Sequence, residues 1–183
     1  MGIISVYFSR RTSIWVYPTG LVNTIIYIYL SVKYHLLGEA AVNFYYTVMS
    51  VWGWWLWSRK NAAQQPALRV TYSSSKEWLQ QWAFAAFCFL IIYAALSWAR
   101  NAFAEGAIPW ADGLASATAF TGMWLMARKK VESWWWWVAT NFCSVPLYFV
   151  KGLVVTSVYY IILLVMAVGG LMTWQQKAKA QTV

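Results

Sequence analysis

Acidic and reactive side chains are scarce in this sequence. Its 183 residues include five Asp or Glu, one His and two Cys. No acid–base pair and no nucleophile–base pair can be named among so few candidates, which argues against an enzyme. Cys88 and Cys143 lie in apolar segments and are too isolated for a disulfide framework or a metal site. The sequence therefore predicts no catalytic residues, no metal ligands and no cofactor.

Charged residues of either sign make up 10% of the chain, whereas 61% of its residues are hydrophobic. This composition excludes an ordinary water-soluble domain. A helix of roughly 20 apolar residues spans the hydrocarbon core of a bilayer. Six stretches fit that requirement: 15–33, 39–57, 78–98, 109–126, 134–150 and 154–174. A seventh, 1–8, is too short to span and is interpreted as a truncated first helix, whose start is either missing or lies at a non-obvious start site. We predict an all-α polytopic membrane protein whose residues 1–183 form a single transmembrane domain of about seven helices.

Positive charge is unevenly distributed between the two sides that these helices define. Three of the 14 cations, Lys33, Arg100 and Lys151, fall on one side. The other eleven fall on the opposite side: Arg10, Arg11, Arg59, Lys60, Arg69, Lys76, Arg128, Lys129, Lys130, Lys177 and Lys179. The positive-inside rule makes that side cytoplasmic, which places the C-terminus inside and the N-terminus outside. Because topology explains the net charge of +9, no nucleic-acid partner is predicted.

The chain also repeats itself. Residues 48–60 (VMSVWGWWLWSRK) and 165–177 (VMAVGGLMTWQQK) are identical at six of thirteen positions when offset by 117. Upstream, an offset of 118 aligns Asn23 with Asn141 and Lys33 with Lys151. Two three-helix units joined by one linker helix share the same orientation, so we predict parallel repeats in a 3+1+3, SWEET-like layout. Repeat one covers 1–60, the linker helix 77–99 and repeat two 108–177.

Polar groups in the membrane interior are mostly amides and hydroxyls. Asn23 and Asn141 lie near the middles of their helices, where a buried amide needs a partner from another helix or from a ligand. The five acids lie at or near helix ends, as expected of surface carboxylates. Asp112, about one turn inside its helix, either caps that helix or lines a path. Without a carboxylate deep in the membrane, transport coupled to protons or sodium is disfavoured.

Several sequence motifs resemble the PnuC family of bacterial vitamin transporters. They occur in order along nearly the whole chain: NFYYTVMSVWGWWLW at 43–57, SSSKEW at 73–78, GMWLMARKKVESW at 122–134, NFCSVPLYFVKGL at 141–153 and TSVYYIILLVMAVGG at 156–170. The resemblance implies a SWEET-like fold, a homotrimer in the bacterial inner membrane, and facilitated uptake of nicotinamide riboside that is trapped inside by phosphorylation.

The resemblance also implies a vitamin site midway through the membrane, built from aromatic rings and amides. Carried onto this chain, it suggests Asn43, Tyr46, Trp52, Trp124, Trp137, Asn141 and Tyr148, to which the repeat adds Asn23. An indole face attracts a flat cationic ring by cation–π interaction, and this attraction does not distinguish nicotinamide riboside from thiamine. The alternatives are therefore a thiamine, other vitamin or nucleoside transporter of the same family, or a non-transporting membrane assembly subunit.

Overall fold

The computed structural model describes residues 2–33, 37–62, 64–99 and 108–180. These residues form seven α-helices and two isolated β-bridges, with no β-strand among them. The helices are α1 (Gly2–Arg10), α2 (Val16–Lys33), α3 (Leu37–Ser58), α4 (Ser75–Ala99), α5 (Pro109–Ala127), α6 (Ser133–Val150) and α7 (Val154–Ala180). The predicted all-α class is confirmed.

The helix bounds follow the apolar runs of the sequence closely, and the largest difference is at the end of α7. That helix continues to Ala180 because Trp174 and Ala178 remain buried against the rest of the bundle. At the start of α5, Pro109 occupies the first turn and the Asp112 carboxylate accepts the Ile108 N–H at 2.7 Å. With nine residues, α1 is about 14 Å long, which is too short to cross a bilayer.

Six of the helices pack into a closed ring. Within each half of the chain, consecutive helices are neighbours: α1, α2 and α3 in one half, and α5, α6 and α7 in the other. The ring closes where α3 packs on α5 and where α7 packs on α1. Helix α4 packs on α5 outside this ring. The ring arrangement leaves an interior that only the inward faces of its six helices can line.

Four chain segments meet at one end of the ring, which we call the cationic end. They are the α1–α2 turn, residues 59–74, residues 128–132 and the last turns of α7. Thr71 and Lys130 form a β-bridge, and the Lys177 ammonium donates to the Arg11 carbonyl at 2.9 Å. The eleven cations that the sequence assigned to one side all lie within or directly beside these four segments. Lys33 and Lys151 lie at the other end, and Arg100 lies outside the described residues.

Large apolar side chains point outward from the bundle. Helix α4 exposes Leu79 at 72%, Phe87 at 61% and Trp98 at 83% of their surface, the reverse of a soluble protein and the pattern of a lipid-facing surface. By length and hydropathy alone, α4 and α7 qualify as membrane spans, which is two of the six that we predicted. The other predicted spans carry many Tyr and Trp residues, whose rings occupy membrane interfaces but lower the hydropathy of a segment.

Candidate functional site

Helix α6 presents its buried face to both neighbours and to the ring interior. On one side, the Thr140 hydroxyl donates to Thr118 of α5 at 2.9 Å. On the other side, Ser157 of α7 donates to the Val145 carbonyl at 2.8 Å. Because a helix turns by about 100° per residue, a line of side chains between these two contacts faces the interior. This line, the α6 strip, consists of Trp137, Asn141, Ser144 and Tyr148.

Asn141 is the most polar member of the α6 strip. It lies near the middle of an 18-residue helix and is 4% exposed. Within the described part of the chain, no hydrogen bond joins its side-chain amide to another residue. In the same part of the chain, the side-chain polar atoms that are both fully enclosed and without a partner belong to Tyr17 and Trp134. The Asn141 amide also lacks a partner there but is not fully enclosed, so it borders open space. A carboxamide carries two donors and an acceptor, and all of them are available to a ligand.

Aromatic rings surround Asn141 on both sides along the helix axis. Tyr46 of α3 lies 6.5 Å from Trp137 and 6.0 Å from Phe120 of α5, measured between ring centroids. One to two turns beyond Asn141, Tyr148 stacks on Tyr160 of α7 at 5.1 Å with their planes 10° apart. These five residues, Tyr46, Phe120, Trp137, Tyr148 and Tyr160, are the interior aromatic cluster.

The structure thus brings together four of the eight residues that the sequence suggested. Trp137, Asn141 and Tyr148 lie along the α6 strip, and Tyr46 of α3 approaches Trp137 from across the ring. Asn43 is half-buried three residues before Tyr46, which places it on the same side of α3 about one turn away. These five residues remain a coherent candidate site.

The other three predicted residues lie elsewhere. Trp124 packs on Phe84 of α4 at 5.1 Å, with the Arg128 guanidinium 5.4 Å from its ring centroid. Trp52 follows Tyr46 by six residues, a rotation that turns it about 120° away from the Tyr46 face. Asn23 is half-buried on α2. Its neighbour Thr24 is the buried residue there and accepts a hydrogen bond from Thr47.

Two members of the cluster, Phe120 and Tyr160, were missed by the sequence reasoning. The offset of 117 makes Tyr160 the repeat-related position of Asn43, which the sequence had already suggested as a site residue. The repeat could therefore have identified Tyr160. Nothing in the sequence singled out Phe120 from the other apolar residues of its helix. Its place is set by tertiary packing, since Tyr45 both stacks on its ring at 4.2 Å and donates to its carbonyl at 3.0 Å.

The carboxylates of Glu77, Asp112 and Glu132 are engaged away from the α6 strip. Asp112 pairs with Lys151 at 2.6 Å as well as accepting the Ile108 N–H, so the capping interpretation agrees with its contacts. Glu77 pairs with Arg128 and Lys130 at the cationic end. Glu132 was expected on the surface, and that expectation is wrong. It is 4% exposed and accepts two hydrogen bonds from Ser73, which compensate for its burial.

Lys129 is a buried cation of the cationic end. Burial, followed by repulsion from Lys177, lowers the pKa of its ammonium from 10.5 to about 8. Two contacts offset part of the cost of burying this charge. The ammonium donates to the Leu68 carbonyl at 3.0 Å and lies 4.5 Å from the centroid of the Trp57 ring.

Comparison with known proteins identifies relatives along nearly the whole chain. Residues 1–176 match the family model described as nicotinamide mononucleotide transporter. The protein named nicotinamide riboside transporter PnuC is 23% identical over 198 residues both in Escherichia coli strain K12 and in Shigella flexneri, covering 97% of this chain and 83% of the relative. A crystal structure of the vitamin B3 transporter PnuC superposes with a TM-score of 0.72 at 21% identity, covering 98% of this chain and 79% of that one. The chain therefore belongs to the nicotinamide mononucleotide transporter family, whose members are membrane transporters and not enzymes.

Proposed function

We propose that this protein is a facilitator that admits nicotinamide riboside through the bacterial inner membrane. The observation that carries the proposal is the Asn141 amide, buried at mid-helix, without a protein partner among the described residues and between aromatic rings. The substrate itself is inferred from the curated relatives, which are named nicotinamide riboside transporters.

Each part of this vitamin has a matching group in the candidate site. Its pyridinium ring is flat and cationic, so it would stack against Tyr46 and Trp137, where cation–π attraction contributes about 0.5–2 kcal/mol per contact. Its carboxamide and ribose hydroxyls are hydrogen-bonding groups that the Asn141 amide can both donate to and accept from. Tyr148 and Tyr160 would close the other side of the site.

Transport is proposed to be uncoupled from ion gradients. Proton- and sodium-coupled carriers keep an ionisable group within the membrane. The described carboxylates Glu77, Asp112 and Glu132 lie at helix ends and are each bound to a cation or to Ser73. Net uptake would then need a sink, which intracellular phosphorylation of the vitamin provides because a charged phosphate group does not return through an apolar path.

We also propose that the two halves of the ring, within 1–60 and 108–177, are parallel repeats about a helix 77–99 that acts as a linker. Matching contacts support this. The Trp57 indole donates to the Ala127 carbonyl at the end of α5, and the Trp174 indole donates to the Ser9 carbonyl near the end of α1. Trp57 and Trp174 are separated by 117 residues, and so are Ser9 and Met126. The Ser9 hydroxyl donates a hydrogen bond to the Met126 sulfur, so these equivalent positions of the two halves also contact each other.

The same offset of 117 relates two further contacts. The Tyr17 ring lies against Gly53 and edge-on to Trp57 at 5.1 Å. The Trp134 ring lies against Gly170 and edge-on to Trp174 at 5.6 Å. Extending this offset into α2 pairs Asn141 with Thr24, and not with Asn23. We therefore propose a site that includes Asn43 with Tyr46, Trp137, Asn141 and Tyr148, and that leaves Asn23, Trp52 and Trp124 outside.

Orientation and assembly complete the proposal. The cationic end would face the cytoplasm by the positive-inside rule, with the C-terminus inside and the N-terminus outside. The homotrimer implied by the family resemblance is retained, because α4 packs on α5 and on Trp136 of α6 through one face only, and its exposed apolar face can meet lipid or another copy of the chain.

Flux in reconstituted vesicles tests the function. Vesicles containing the purified protein should equilibrate labelled nicotinamide riboside without any proton or sodium gradient. They should accumulate it above the outside concentration only when a nicotinamide riboside kinase and ATP are enclosed. Thiamine and riboflavin serve as competitors, and stronger competition by thiamine than by unlabelled nicotinamide riboside would reassign the substrate. Absence of flux for every vitamin from a stable, monodisperse protein would instead favour the non-transporting assembly subunit.

A further inference from the structure

A cavity lies at the cationic end, between α1 and α7, and its lining differs from the residues of the interior site. It has a volume of about 540 Å³ and is lined by Tyr7, Arg10, Arg11, Thr173 and Lys177. We call it the basic pocket. None of its residues belongs to the α6 strip or to the interior aromatic cluster, so a ligand bound here would not occupy the proposed vitamin site.

The walls of the basic pocket are fixed in place by hydrogen bonds between its two helices. Arg10 Nε donates to the Thr173 hydroxyl at 3.0 Å. Lys177 donates to the Arg11 carbonyl at 2.9 Å and to the Thr12 hydroxyl at 2.8 Å. The Trp174 indole beneath them donates to the Ser9 carbonyl. The side chains of Arg10 and Lys177 are therefore held by hydrogen bonds before a ligand arrives, which reduces the cost of ordering them on binding.

The basic pocket concentrates positive charge without a carboxylate. The described ion pairs place Glu77 with Arg128 and Lys130, and Asp112 with Lys151, so none of them involves Arg10, Arg11 or Lys177. Lys129 adds to this repulsion, since it interacts unfavourably with Lys177. Neighbouring like charges that no acid neutralises raise the affinity for a multivalent anion, because the anion relieves their repulsion.

The donors left over fit a phosphate group. A guanidinium has five N–H donors in a planar fork that matches phosphate oxygens. Arg10 uses its Nε on Thr173, which leaves both terminal nitrogens available. The Arg11 guanidinium lies 5.0 Å from the Tyr7 ring centroid, a cation–π contact that does not consume its N–H donors in hydrogen bonds. Tyr7 and Thr173 line the same pocket and add polar side chains to its walls.

We propose that the basic pocket is a binding site for a phosphate group, carried either by an anionic phospholipid at the membrane surface or by a soluble phosphate ester. The bound group bridges α1 and α7 at the joint that closes the helix ring. Occupancy then stabilises this joint, because a ligand that binds only the folded state raises its stability in proportion to the logarithm of ligand concentration.

Thermal unfolding of the purified full chain measures this binding and separates the two sources. The soluble probes are inorganic phosphate and adenosine monophosphate, each compared with potassium chloride at equal ionic strength. The lipid probe is phosphatidylglycerol, compared with phosphatidylcholine in otherwise identical bilayer discs. A saturable rise in unfolding midpoint with the soluble probes identifies a phosphate ester site, and a rise with phosphatidylglycerol alone identifies a lipid site. If no probe exceeds its control, the proposal is overturned.

Variants decide whether any effect comes from the basic pocket. Arg11→Gln removes one charge while the backbone carbonyl that Lys177 needs remains, and it should raise the probe's apparent Kd about 10-fold or more. Arg10→Lys keeps the charge but loses the planar fork and should weaken binding in the same direction, which preserves the test if Arg11→Gln does not fold. Lys60→Gln removes an exposed charge at the same end, outside the pocket, and should bind like the wild type. Equal weakening by Lys60→Gln, or unchanged binding in both pocket variants, would show general charge screening and overturn the proposal.

Discussion

The indole rings of Trp57 and Trp174 lie 6.1 Å apart between centroids at the cationic end, and each donates a hydrogen bond to the first helix of the opposite half. Both rings are buried in one core cluster with Tyr17 and Trp134. The two halves of the ring are therefore joined by a reciprocal pair of contacts and not by a single loop connection. The consequences for stability and for the vitamin site can be tested separately.

Gly53 and Gly170 should both be intolerant of a side chain. A Cβ at Gly53 would overlap the Tyr17 ring, and one at Gly170 would overlap the Trp134 indole. Gly53→Ala and Gly170→Ala should each destabilise the fold, by roughly 1–3 kcal/mol for overpacking a buried contact. Unfolding midpoints in detergent measure the effect. Gly169→Ala is the matched control, because its Cβ would meet a terminal nitrogen of Arg10 at 3.2 Å, a contact that a shift of a few tenths of an ångström relieves, and because Ala favours helix by about 1 kcal/mol over Gly. A control as damaging as Gly170→Ala would contradict this explanation.

Asn141→Leu should weaken vitamin binding without unfolding the protein. Losing one hydrogen bond costs on the order of 1 kcal/mol, and leaving a desolvated ligand group unpaired costs about 1–3. The Kd for nicotinamide riboside should therefore rise roughly 5- to 150-fold, as measured by quenching of tryptophan fluorescence. Asn23→Leu is the matched control and should have a smaller effect, since the offset of 117 makes Thr24, and not Asn23, the residue of the first repeat that is equivalent to Asn141. A lowered melting temperature of Asn141→Leu with normal affinity would mean that the amide only ties helices together.

Trp137→Ala should discriminate between ligands by their charge. A cationic pyridinium loses cation–π attraction to the indole, whereas a neutral analogue of the same shape loses only contact area. Affinity for nicotinamide riboside should fall more than affinity for its reduced, uncharged form. Trp135→Ala is the control, because Trp135 is the adjacent indole and is 51% exposed on the outer face of α6. An equal loss for both ligands would indicate that Trp137 provides packing alone.

Lys129 should make stability depend on pH above neutrality. Its pKa falls from 10.5 to about 8 on folding, chiefly because the ammonium is buried. Between these two values the unfolded chain binds more protons than the folded chain, so the contribution of this group to stability rises with pH. The unfolding midpoint of the wild type, minus that of Lys129→Met, should increase from pH 7 to pH 9.5. A difference that is constant over this range would show that Lys129 titrates normally.

Membrane orientation can be tested with reporters that are active on one side of the membrane. A fusion after Val183 should report the cytoplasm, and an insertion at 101–107 should report the exterior, because the eleven cations of the cationic end set the orientation. A cytoplasmic signal from 101–107 would reject the proposed orientation together with the parallel repeats.

Much of the fold was predictable because it depends on local properties of the sequence. The start of α5 at Pro109 and the end of α6 at Val150 follow from where apolar runs begin and end. The grouping of cations follows from counting charges in successive loops. The site was only half predictable, since the sequence indicated Asn141 and Tyr46 but also Trp124, which packs on α4. A Trp at the end of an apolar helix has the same local sequence signal whichever neighbour it faces.

The sequence by itself determined that this is an all-helical chain whose cations gather at one end, because helix length, hydropathy and charge are read residue by residue. Only the tertiary structure decided which side chains face the interior. One residue along a helix corresponds to a rotation of about 100°. The offset of 118 makes Asn23 the repeat-related position of Asn141, whereas the offset of 117 makes it Thr24, which points in a different direction from the helix axis. Burial of Glu132 was decided in the same way. Its carboxylate is enclosed because Ser73, 59 residues away, donates both its N–H and its hydroxyl to it.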